Sequence, residues 1–164
     1  SCNLADLQQP TNTMTPPSAD LELALIALGQ GTQNYTCANA TSAPAAIGAL
    51  ANLFNASCAV ANNALGSVQE DAAIGMHFFV DSTTPDFDII GLGNTQMKKV
   101  ESMAAPQATD VPWLRLEAQQ QGTTSAVKQV YRLNTVGGVA PTSCDGQTAG
   151  SVVTVEYQAQ YWIY

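Results

Sequence analysis

Hydrophobic and polar positions alternate along much of this chain, the pattern of strands that bury one face and expose the other. Residues 152–164 show it most fully. Val153, Val155, Tyr157, Ala159, Tyr161 and Ile163 fall on one face; Thr154, Glu156, Gln158, Gln160, Trp162 and Tyr164 fall on the other. A strand of this length ending in aromatics predicts a terminus paired within a sheet. Residues 74–80 alternate as well, with Met76, Phe78 and Val80 opposed to His77 and Phe79. Further strands are predicted at 48–54, 87–90, 96–102, 113–118 and 126–133. Near the start, Leu21, Leu23 and Leu25 alternate, Gly29-Gln30-Gly31 reads as a turn, and 32–37 places Tyr35 and Cys37 on one face. Together these segments predict a hairpin. The Ala/Asn/Ser-rich stretch 38–74 holds a predicted helical turn at 58–65. Pro10, Pro16 and Pro17 make residues 1–19 an extended lead-in, which Cys2 would pin to the body. Short strands separated by Gly, Pro and Asp turns predict one mainly β domain over 20–164. Its expected form is an antiparallel β-sandwich or barrel with one or two short helical turns.

Composition narrows the partners. With 164 residues, 46% of them hydrophobic, the chain can bury a core of its own. No apolar run reaches the length of a membrane-spanning helix. Thirteen acidic against five basic residues give a formal charge of −8, which argues against nucleic acid and anionic membrane surfaces. A small molecule or a glycan remains as partner.

The four cysteines, Cys2, Cys37, Cys58 and Cys144, form no C-x-x-C pair, and the single histidine leaves no zinc-like cluster. Two disulfides are expected, with three connectivities open. Sequons at Asn34, Asn39 and Asn55 add glycosylation to the picture and point to a secreted protein, extracellular or in the cell wall. Ser1 is expected to begin the mature chain after removal of a signal peptide.

Candidate chemistry is sparse. His77 could act as a general base or metal ligand with Asp81, Asp86 or Asp88. No serine, cysteine or second histidine stands in a recognisable context. A structural strand histidine bonded to a turn carboxylate is therefore preferred, and no catalytic or metal-binding residue is assigned. The acidic stretch 81–88 lacks the spacing of a calcium loop. No pair of carboxylates stands out as a glycosidase couple. Arg132, on the predicted face of Lys128, Val130 and Asn134, could anchor an anion; a structural salt bridge to Glu156 or Asp88 is preferred. If Leu114 and Leu116 face the core, Trp113 lies opposite, as Trp162 and Tyr164 do on the last strand. These aromatics would form a stacking platform unless the 38–74 segment covers them.

Several segments together resemble a family of secreted fungal and bacterial proteins that is filed as a domain of unknown function. They are Gly31-Thr32-Gln33-Asn34-Tyr35-Thr36-Cys37, Gly75-Met76-His77-Phe78-Phe79, Thr84-Pro85-Asp86-Phe87 and Val111-Pro112-Trp113-Leu114. Tyr131-Arg132-Leu133-Asn134-Thr135-Val136-Gly137-Gly138 with Cys144, and Tyr157-Gln158-Ala159-Gln160-Tyr161-Trp162-Ile163-Tyr164, complete the set. The resemblance runs over residues 20–164 and is strongest to the fungal branch. Some such proteins carry a malate dehydrogenase label. Gly29-Gln30-Gly31 and Gly91-Leu92-Gly93 lack the third glycine and the β-α-β setting which that activity needs. The resemblance implies the pairing Cys37–Cys144 and Cys2–Cys58, because bacterial members look to keep counterparts of Cys37 and Cys144 alone.

The expected function is non-catalytic binding of a small, largely apolar or aromatic ligand such as a pigment. Trp113, Trp162, Tyr164, His77, Phe79, Tyr131 and Arg132 are the expected ligand-binding residues. A polysaccharide-binding module and a hydrolase or lyase using His77 with a loop aspartate are the alternatives. No cofactor is expected beyond a bound small organic ligand.

Overall fold

A computed structural model describes residues 2–164. Eight strands follow one another around a closed antiparallel barrel: β1 (Leu25–Cys37), β2 (Ala45–Asn55), β3 (Ala73–Asp81), β4 (Thr84–Ile89), β5 (Gly93–Met103), β6 (Trp113–Ala118), β7 (Gln129–Gly137) and β8 (Ser151–Ile163). Every strand pairs with its sequence neighbours, and β8 returns to β1 from Leu25↔Ile163 to Cys37↔Ser151. Of the two predicted architectures the chain adopts the barrel. Closure leaves no strand edge to be protected.

The predicted hairpin turn at Gly29-Gln30-Gly31 is instead the middle of one continuous strand. Both glycines are there for close approach. A Cβ at Gly29 would lie 2.6 Å from the Tyr161 ring, and one at Gly31 would lie 1.9 Å from the backbone oxygen of Leu50. Small inner residues (Ala27, Gly29, Ala51, Ala159) make room for the large ones facing them, Phe87, Tyr157 and Tyr161. In an eight-stranded barrel this combination fills the interior. The predicted helical turn divides into α1 (Ser57–Ala61) and a 3₁₀ turn at Leu65–Ser67. The β1 alternation begins at Leu25, so Leu21 and Leu23 lie outside the barrel strands.

A second apolar cluster lies outside the barrel wall. Ile26, Leu28, Phe54, Trp113, Tyr131, Leu133 and Trp162 form a belt on the outer faces of β1, β2, β6, β7 and β8. The lead-in crosses this belt with Leu7, Met14 and Leu23, and Val60 and Val68 from the 57–68 stretch join it. Hydrogen bonds hold the lead-in down, among them Tyr131 Oη donating to the Thr15 carbonyl at 2.6 Å, Gln9 Nε2 donating to Tyr164 Oη at 3.1 Å, and Gln129 Nε2 donating to Ser18 Oγ at 2.9 Å. The Cys2–Cys58 disulfide ties its start to α1. The second disulfide, Cys37–Cys144, joins the end of β1 to the long 138–150 loop. Both pairings are those implied by the resemblance.

The loops 38–44, 82–83, 104–112 and 138–150 gather at one end of the barrel. The other end carries the barrel's two chain termini and is packed with Leu25, Ile89, Val127, Val130 and Ile163. The space left inside the barrel lies toward the first end.

Candidate functional site

The open end holds a cavity of about 350 Å³. Its volume is at the lower end of the range of roughly 300–1,000 Å³ typical of small-molecule sites. Residues of seven strands, β1 to β7, build its wall, among them Phe79 on β3, Pro85 on β4, and Leu114 and Leu116 on β6. Val111 and Pro112 close it from the 104–112 loop, and Ser82 and Thr83 form the hairpin tip at its rim.

Polar groups enter this apolar wall at few points. Arg132 is buried, 9% exposed, and its Nε and Nη2 donate to the Pro112 carbonyl at 3.0 and 2.8 Å. The predicted salt bridge to Glu156 or Asp88 is not formed. Both ion pairs among the described residues belong to Arg115, with Glu101 and Glu117. A bulge between Leu133 and Val136 also turns Asn134 away from the face of Arg132, and Asn134 bonds Gln160 on the outer wall. Gln33 lines the cavity beside Tyr35, and its buried Nε2 has no partner. Tyr35 Oη is satisfied by the Gly138 carbonyl. Lys99 stands exposed at the rim.

Further in, Tyr157 and Tyr161 share a hydroxyl–hydroxyl bond of 2.8 Å. Burial raises the pKa of both and of Tyr35, and the positive charge of Arg132 pulls each back in part. All three remain neutral phenols at ordinary pH. His77, 2% exposed, stacks on Phe87 at 4.1 Å, and its Nδ1 bonds the backbone carbonyl of Asp86 at 2.8 Å. The expected carboxylate partner is thus a main-chain oxygen. Burial lowers the His77 pKa to about 4, with Arg132 adding to the effect. A neutral imidazole sealed among aromatic rings is placed as a packing element. Among the described residues no cluster of three or more His, Cys, Asp or Glu side chains could hold a metal.

Of the residues expected to bind a ligand, Phe79 and Arg132 meet in the cavity wall. His77 lies deeper in the same interior. Trp113, Tyr131 and Trp162 are on the opposite side of the wall, buried in the outer belt, and Tyr164 stacks edge-on against Tyr131 at 5.7 Å. No stacking platform is open there. Sequence reasoning missed Gln33, Lys99 and Leu114 as cavity residues. For Gln33 a signal existed: its parity with Tyr35 and Cys37 puts an amide at an inward position.

The architecture is that of an up-and-down antiparallel β-barrel, closed at one end and hollow at the other, with a buried cation in the hollow. The chain belongs to the family described as "Protein of unknown function (DUF3455)", whose model matches residues 17–164. No curated protein and no solved structure matches it.

Proposed function

We propose that this protein is a secreted, non-catalytic carrier that holds one small, largely apolar or aromatic molecule in the open end of its barrel. The observation that carries this reading is the cavity of about 350 Å³, walled by Phe79, Pro85, Leu114 and Leu116 in an otherwise filled interior. The reading is supported further by His77, whose ring is committed to stacking on Phe87 and to a main-chain bond. Two disulfides fit an extracellular setting. The sequon residues Asn39 and Asn55 are exposed, as glycosylation in a secretory route requires, whereas Asn34 is half-buried on the outer face of β1.

Two measurements test the proposal. Native mass spectrometry and absorbance of the protein from its natural source should reveal a bound organic molecule. The neutral probe N-phenyl-1-naphthylamine should gain fluorescence with the empty protein and lose that gain in Leu114→Trp, which fills the cavity. A clean aromatic-residue spectrum, no added mass and no probe binding would overturn it.

A further inference from the structure

We infer that the ligand carries a single carboxylate on its apolar body, and that Arg132 receives it inside the barrel, with Gln33 beside it and Lys99 at the entrance. This rests on the carrier reading above and adds the chemical class of the ligand.

Charge distribution supplies the first argument. The chain as a whole bears thirteen acidic and five basic residues, yet the cavity lining contains two of the five cations and none of the acids. A surface that is negative overall has been made locally positive where the protein is hollow.

The second argument is the state of Arg132. A guanidinium has five N–H donors in a rigid fork matched to a carboxylate. Here the two hydrogen bonds from Nε and Nη2 both go to one neutral carbonyl, that of Pro112. Among the described residues no carboxylate pairs with it. A buried cation without a counter-ion is costly, and an anion entering the cavity removes that cost. The Pro112 carbonyl in turn fixes the direction of the fork before any ligand arrives.

The third argument is Gln33, whose buried Nε2 is an unused donor in the same lining. Buried donors without partners are rare in folded proteins, and one in the same lining as an unpaired guanidinium suits a second bond to the anionic head. One buried charge and one neutral donor match a monoanion. A phosphate would demand more charge than the enclosed part of the site offers. The apolar wall of Phe79, Leu114 and Leu116 accommodates the body attached to that head.

Matched pairs of probes test this by isothermal titration calorimetry on the intact disulfide-bonded protein: decanoate against decanol, and 1-naphthoate against 1-naphthalenemethanol. The carboxylate of at least one pair should bind ten- to hundred-fold more tightly than its alcohol, the range expected for a charged hydrogen bond in a dry site. Arg132→Met should bring the two members within about threefold through loss of carboxylate affinity, with a far-UV circular dichroism spectrum and urea midpoint close to the parent's showing that the variant is folded. Lys99→Gln, at the exposed rim, should weaken the carboxylate by only about twofold to threefold. If alcohol and carboxylate bind equally to the parent, the carboxylate assignment falls and the apolar carrier stands. If neither member of either pair binds, both readings fall.

Discussion

His77 should make the stability of the barrel fall on mild acidification, and the size of the effect follows from its surroundings. Burial between Phe87 and Tyr161 disfavours the imidazolium, and the charge of Arg132 disfavours it further, so the folded-state pKa is about 4. In the unfolded chain the pKa is about 6.5. Between these values the unfolded state binds the proton and the folded state does not, so stability rises with pH across that window and is lost as pH falls through it. The shift corresponds to about 3 kcal/mol over the full window, of which about 2.5 kcal/mol is lost by pH 4.5. Asp86 works in the opposite direction, since burial holds its carboxyl above the usual range; Asp81 and Glu101 are held low by hydrogen bonds from Thr83 and Thr15. A comparison with His77→Asn cancels these contributions, because the carboxylates are common to both chains, and the amide can still donate to the Asp86 carbonyl. Urea unfolding at pH 7.5 and 4.5 should show the parent losing about 2.5 kcal/mol more than the variant between the two pH values. Equal losses in the two chains, or an NMR titration of His77 near 6.5, would refute the reasoning.

Four further outcomes are expected. Replacing Cys37 and Cys144 together by alanine opens a loop of 107 residues and should cost about 4–5 kcal/mol in the chain-entropy model, read by urea unfolding. Replacing Cys2 and Cys58 by alanine should free the lead-in, so that the emission of Trp113 and Trp162 shifts to the red and acrylamide quenches it more, while far-UV circular dichroism keeps the barrel signature. Gly31→Ala should cost about 3 kcal/mol or more, because the new Cβ meets the Leu50 backbone oxygen, whereas Gly66→Ala, with open space around it, should stay within about 0.5 kcal/mol in the same assay. Arg132→Met should change stability by no more than about 1 kcal/mol, since relief of a buried unpaired charge offsets the lost bonds to Pro112.

The strands were legible wherever one face is apolar and the other polar: β6 lies where alternation put it, and the inner row of β8 runs along the predicted face. The path through Gly29 and Gly31 was not, because a glycine needed for close approach and a glycine needed for a turn look alike in one dimension. What separates them here is Tyr161 and Leu50, residues on other strands. The outer position of Trp113 and Trp162 was legible from parity, but their burial depends on where the lead-in lies, and its proline-interrupted residues 2–19 have no periodicity from which to read that. The site was less legible still. Arg132 finds its partner in a main-chain carbonyl, and no side-chain pattern marks such a bond.

The packing of the fold is spread unevenly over the barrel. The filled end and the belt under the lead-in contain most of the large buried side chains, Trp162, Tyr131, Phe87, Ile26 and Leu53 among them. Those contacts are complete without the open end. If Arg132 served the fold, the ordinary solution would be a carboxylate beside it, and the flanking strands already carry acids, Glu117 on β6 and Glu156 on β8. Parity sends both to the outer wall, where Glu117 pairs with Arg115. The interior cation is thus left unmatched in a chain rich in matching charges. Packing gives no reason for that arrangement, and an anionic guest in the cavity does.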